Sequence, residues 1–78
     1  MKIRLDARDC WIIRRTQHGF CDYMETVDVW TSSPALAAIF RTFEAAEHEL
    51  WLARNEGRVS RDEILDVVPL YGALVRQA

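Results

Sequence analysis

Two pairs of side chains have types and spacing that chemistry can use. Glu44 and His48 stand four residues apart, the separation that places two metal ligands on one face of a helix, and Cys21 follows His18 closely enough for a thiol and a base. A zinc centre needs three or four convergent ligands, and spacing offers no third one here. With Glu47 and Glu49 alongside, Glu44 and His48 read as the solvated side of a helix. His18 belongs to a turn and Cys21 to the strand after it, so backbone geometry sends their side chains in different directions. Asp22, Glu25 and Asp28 form a third group of candidates, but paired-carboxylate catalysis needs a cleft, which is hard to build at this size. Only three glycines are present, and no glycine-rich phosphate loop. The expectation is a protein that is not an enzyme and carries neither metal nor cofactor.

The elements that position these residues come from a chain of 78 residues, half apolar and 28% charged, with a formal net charge of −2. That balance suits one folded domain over residues 1–78 and demands no nucleic-acid or membrane partner. No apolar run approaches the length of a membrane span, and the opening MKIRLDARDCW has no apolar signal-peptide core, so a cytoplasmic protein is expected. Cys10 and Cys21 are accordingly read as free thiols.

The first third alternates as strands do. Ile3 and Leu5 share one side of residues 2–6. Two β-rich runs, from Cys10 and from Phe20, flank Gln17-His18-Gly19, which predicts a hairpin with Gly19 in the left-handed position of a three-residue turn. Pairing Thr16 with Phe20 sets Arg14 opposite Asp22 and Ile13 opposite Tyr23. Trp11, Ile13, Cys21, Tyr23, Val27 and Val29 then line the core face. The second face collects Ile12, Phe20, Met24 and Trp30 among Arg14, Asp22 and Asp28.

Further on, Leu36, Ile39, Phe40, Phe43, Ala46, Leu50 and Trp51 keep one phase at about 100° per residue. That phase predicts a single long helix over 34–55, capped by Ser33, with Pro34 in its first turn and Gly57 just beyond its end. Thr42 is a poorer cap, because Ala45 supplies no capping-box carboxylate. Ser60 and Glu63 do form a capping box, with Val59 and Ile64 placed as its staple, and predict a shorter helix to about residue 67. After Pro69, residues 70–75 read as a restarted short helix in preference to a final strand. The fold class expected is α+β: a small antiparallel sheet, made of the hairpin and an N-terminal strand, packed by one long helix and a shorter C-terminal one.

A domain this small cannot easily bury three tryptophans together with three phenylalanines and two tyrosines. Trp, Tyr, Met and Arg also dominate protein interfaces. The second face of the hairpin is therefore the expected partner-binding surface, with Ile12, Phe20, Met24 and Trp30 as its apolar part and Asp22, Glu25 and Asp28 as its charged part. The expected occupant is a foreign partner protein or a second copy of the chain. Direct nucleic-acid binding would have to use Arg4, Arg8, Arg14 and Arg15 and is disfavoured by Asp62, Glu63 and Asp66 on the predicted shorter helix.

The stretch Trp30-Thr31-Ser32-Ser33-Pro34, followed by Ala38-Ile39-Phe40-Arg41-Thr42-Phe43-Glu44-Ala45-Ala46-Glu47, resembles a pattern found in small phage and prophage proteins of the anti-CRISPR kind. In those proteins the chain often breaks before the second helix. The resemblance implies stoichiometric inhibition of a bacterial defence system by binding a host protein or ribonucleoprotein complex, often where it would contact nucleic acid. Anti-CRISPR proteins share no common signature, so the resemblance assigns no binding residue. On it, Asp22, Glu25 and Asp28 could stand in for phosphates, with Met24 and Trp30 supplying apolar contact.

Overall fold

Ile12 and Ile13 are adjacent in the chain, fully buried, and point to opposite sides of a sheet. That follows from the two-residue period of a strand, and it means both faces of the sheet are covered. In the computed structural model, which describes residues 9–60 and 62–77, the fold is α+β with a four-stranded antiparallel sheet. The strands are β1 (Trp11–Gln17), β2 (Phe20–Thr26), β3 (Val29–Thr31) and β4 (Ile64–Pro69), in the order β3-β2-β1-β4. Helix α1 (Phe43–Asn55) packs on one face and helix α2 (Leu70–Gln77) on the other, joined there by a 3-10 turn at Pro34–Leu36. The strand expected at residues 2–6 lies outside the described residues.

The hairpin forms as the sequence suggests, but its loop is shorter by one residue. His18 and Gly19 alone connect β1 to β2, with φ of 51° and 82°. Positive φ at both loop residues is the type I′ geometry that matches the twist of a two-stranded ribbon, and Gly and His are among the residues that tolerate it. The register therefore pairs Arg14 with Tyr23 and Arg15 with Asp22, one residue away from the expected pairing. A slip of one exchanges the faces of one strand relative to the other. Ile13 and Met24 thus share the α1 side with Ala46, Leu50 and Leu65, and Trp11 and Trp30 pack at its margin. Ile12 and Tyr23 share the α2 side with Cys10, Ala37, Leu70 and Ala73.

The expected long helix is broken. Between the 3-10 turn and α1 the chain returns to the sheet: Trp11 and Phe40 exchange backbone hydrogen bonds at 2.8 Å, and the Ala38 amide donates to the Met24 carbonyl at 2.8 Å. Those amides are taken from the helical ladder, so the helix restarts at Thr42, whose Oγ1 accepts from the Ala45 amide at 3.1 Å. The apolar phase through 36–51 does not mark a buried stripe, since Leu36, Ile39, Phe43 and Trp51 are exposed. Asn55 ends α1, and Gly57 follows with φ of 72°.

The second expected helix is strand β4. Glu63 does accept from the Ser60 amide, at 3.2 Å, as a capping box requires. The turn it closes leads into Ile64–Pro69, whose β-branched Ile64, Val67 and Val68 pair along β1 from Thr16 to Trp11. Sheet pairing along β1 from Trp11 to Thr16 outweighs the local signal. Pro69 sits at the end of this edge strand, where a missing amide is tolerated. A helix does restart after it, as α2.

Candidate functional site

The one-residue shift in register decides which charges meet. Arg14 faces Asp66 across β1 and β4 and donates to it through Nε at 3.0 Å and through Nη2. Arg15 faces Asp22 and donates through Nε at 2.8 Å and through Nη2, with Glu63 at 3.5 Å from its Nη1. Its guanidinium also lies over the Trp30 ring, 4.3 Å from the centroid. Both arginines are held above their ordinary pKa, chiefly by the hydrogen bond each donates to its aspartate, against a smaller opposing desolvation. Two of the four arginines that a nucleic-acid surface would have used are thus engaged inside the domain; Arg4 and Arg8 lie outside the described residues.

These pairings rearrange the expected surface. Ile12 and Met24 are buried in the two cores and offer nothing to a partner in this fold. Asp22 is neutralised by Arg15, and Trp30 is half-buried beneath the same side chain. Phe20 is 80% exposed, at the hairpin end. Glu25 and Asp28 are exposed, as are Val27 in the β2–β3 turn and Val29 at the start of β3. A register irregularity between Met24 and Thr26 swings this turn away from the ladder.

Arg58 ties that turn to the C-terminal half of α1. Its Nη1 donates to the Val27 carbonyl at 3.3 Å, and Nη2 lies 3.8 Å from Glu49 Oε1. The Nε atom is 3.0 Å from Glu56 Oε2, out of line for a hydrogen bond. Glu49 and Glu56 therefore border one arginine at this end of the helix, and the same arginine holds the Val27 carbonyl.

The outer face of α1 carries further carboxylates. Ala46, Leu50 and Ala53 make the buried side. Opposite them, at spacings of three, four and seven, stand Glu44, Glu47, His48 and Trp51. Trp51 is 59% exposed and stacked on His48, with ring centroids 6.3 Å apart and an interplanar angle of 11°. The groove beside them is lined by both glutamates, Leu50 and Arg54. Among the described residues, Glu25, Asp28, Glu44 and Glu47 have no ion-pair partner. Sequence reasoning placed Trp51 on one apolar stripe with Ala46 and Leu50 and did not single it out as a surface residue. With α1 starting at Phe43, the small residues Ala46 and Ala53 mark the buried side, and Trp51 falls with the glutamates.

His18 is in the exposed loop, whereas Cys21 contacts Thr16 Oγ1 at 3.5 Å; both cysteines are free thiols, Cys10 buried and Cys21 exposed. Among the described residues no three His, Cys, Asp or Glu side chains converge as metal ligands, and no helix is long and apolar enough to cross a membrane. The chain matches no family model, no curated protein and no solved structure.

Proposed function

We propose that this chain is a non-enzymatic protein-binding module that occupies a basic surface on its partner through the outer face of α1 and the β2–β3 turn. One observation carries the reading: Trp51 stands exposed and stacked on His48 between glutamates that no group among the described residues neutralises. Tryptophan supplies more binding free energy per residue than most other side chains, and the stack with His48 limits the freedom it loses on docking. Glu44, Glu47, Glu25 and Asp28 supply the charge that selects and orients a basic partner.

The likeness of residues 30–47 to small phage proteins supplies the class of target. On this reading the partner is a bacterial defence complex, with a cationic groove that otherwise holds nucleic acid, and carboxylates take the place of phosphates there. The inhibitor acts stoichiometrically and in the cytoplasm of the host. The test is expression in bacteria carrying an active CRISPR system of defined type, with plasmid interference as the readout. Wild-type protein is expected to abolish interference in at least one type, and the combined Trp51→Ala, Glu47→Lys variant to leave it intact. Undiminished interference in every type with wild-type protein present would remove the defence-complex assignment, and equal inhibition by the variant would remove the α1 face.

A further inference from the structure

The α2 side of the sheet is only half filled. Cys10, Ile12 and Ala37 pack beneath the start of α2, but near its end a pocket of about 360 Å³ opens between the helix and strands β1, β2 and β4. Gly72 forms part of the wall, and a Cβ built there would meet nothing within 4 Å. Val68, Pro69 and Ala73 give the pocket an apolar side.

Its polar groups are few and point to an anion. Tyr23 lines the pocket while only 8% exposed, and its phenol has no hydrogen-bond partner among the described residues. The ring is buried while the hydroxyl reaches the open pocket, where it is available to donate to a ligand. Arg14 is held in place by Asp66 through Nε and Nη2, which leaves Nη1 without a partner among the described residues. Arg76, in the last turn of α2, has no ion pair among them. Among the described residues, two guanidiniums against the single carboxylate of Asp66 leave one positive charge uncompensated.

We infer that this pocket binds a small organic monoanion, a carboxylate carried on an apolar body, with Arg76, Arg14 and the Tyr23 hydroxyl on the carboxylate and Val68 and Ala73 against the body. The volume lies in the range of small-molecule sites, and one net positive charge matches one carboxylate better than a dianion. The site is separate from the α1 face and does not depend on the function proposed above.

The probe is benzoate, titrated into isotopically labelled protein while the amide resonances of Val68, Gly72 and Ala73 are followed by NMR. Saturable shifts at these three are expected, with benzyl alcohol and inorganic phosphate each binding at least about tenfold more weakly, the loss of roughly one charge-assisted hydrogen bond or of the apolar contact. Arg76→Gln is expected to weaken benzoate about tenfold. Tyr23→Phe, which keeps the ring in the core, should weaken it by a smaller factor. Gly72→Leu should abolish binding while leaving the thermal midpoint at or above that of the wild type, because its side chain enters open space. Absence of saturable shifts overturns the site. So would equal binding of benzyl alcohol, equal binding of phosphate, or undiminished benzoate affinity in Gly72→Leu.

Discussion

The Arg15 guanidinium lies 4.3 Å above the Trp30 ring while its Nε donates to Asp22 at 2.8 Å. The planar group satisfies both partners at once, as a lysine ammonium would not. Arg15→Lys keeps the charge and is expected to destabilise the fold by about 1 kcal/mol, and Arg15→Ala by about 2 kcal/mol, the scale of a partly exposed ion pair plus a cation–π contact. The urea midpoint measures both. Unchanged midpoints would show that the cluster does not contribute to stability.

The capping of α1 makes a second prediction. Thr42→Ala removes the acceptor for the Ala45 amide and should cost about 1 kcal/mol, whereas Thr42→Ser should be nearly neutral. Ser33 is the N-cap residue of the 3-10 turn, yet its side chain makes no cap hydrogen bond, so Ser33→Ala should change stability little. A chain with one helix through 34–55 would reverse that order.

Much of the fold was legible in the sequence, and the misreadings share a physical cause. The hairpin, the positive φ at Gly19, the end of α1 near Gly57 and the helix after Pro69 are local features, written in turn chemistry and periodicity. The register was missed by one because His18 also takes positive φ, which shortens the loop and turns a plausible Arg14–Asp22 pair into Arg15–Asp22. The helical phase through 36–51 and the capping box at Ser60 are real local signals as well. Both lost to non-local sheet hydrogen bonds, the first to Phe40 pairing with Trp11, the second to β4 pairing along β1. Of the expected site, Glu25 and Asp28 stayed on the surface, while Ile12 and Met24 went inside because both sheet faces are covered.

The pairing of β4 with β1 is tested through Arg14 and Asp66, which lie 52 positions apart in the chain. Reversing either charge alone should destabilise the protein. The double reversal Arg14→Asp, Asp66→Arg should recover part of the loss, with a coupling energy of about 1 kcal/mol. A helix over 61–67 would give no coupling.

Coverage of both faces is tested at Ile12 and Ile13. Each side chain is buried in a different core, so Ile12→Ala and Ile13→Ala should each cost about 3 kcal/mol in chemical denaturation. A sheet with one solvated face would give one large and one negligible effect.

The most direct measurement is affinity capture from nuclease-treated bacterial lysate with three baits side by side: wild type, Trp51→Ala and Glu47→Lys. Trp51 and Glu47 lie on the exposed side of α1, so all three should show the same circular dichroism and thermal midpoint. Wild type is expected to retain a nucleic-acid-handling complex in stoichiometric amount, with Trp51→Ala and Glu47→Lys each losing it. Retention of the same complex by all three baits, or recovery of nothing but the bait itself, would contradict binding through the α1 face.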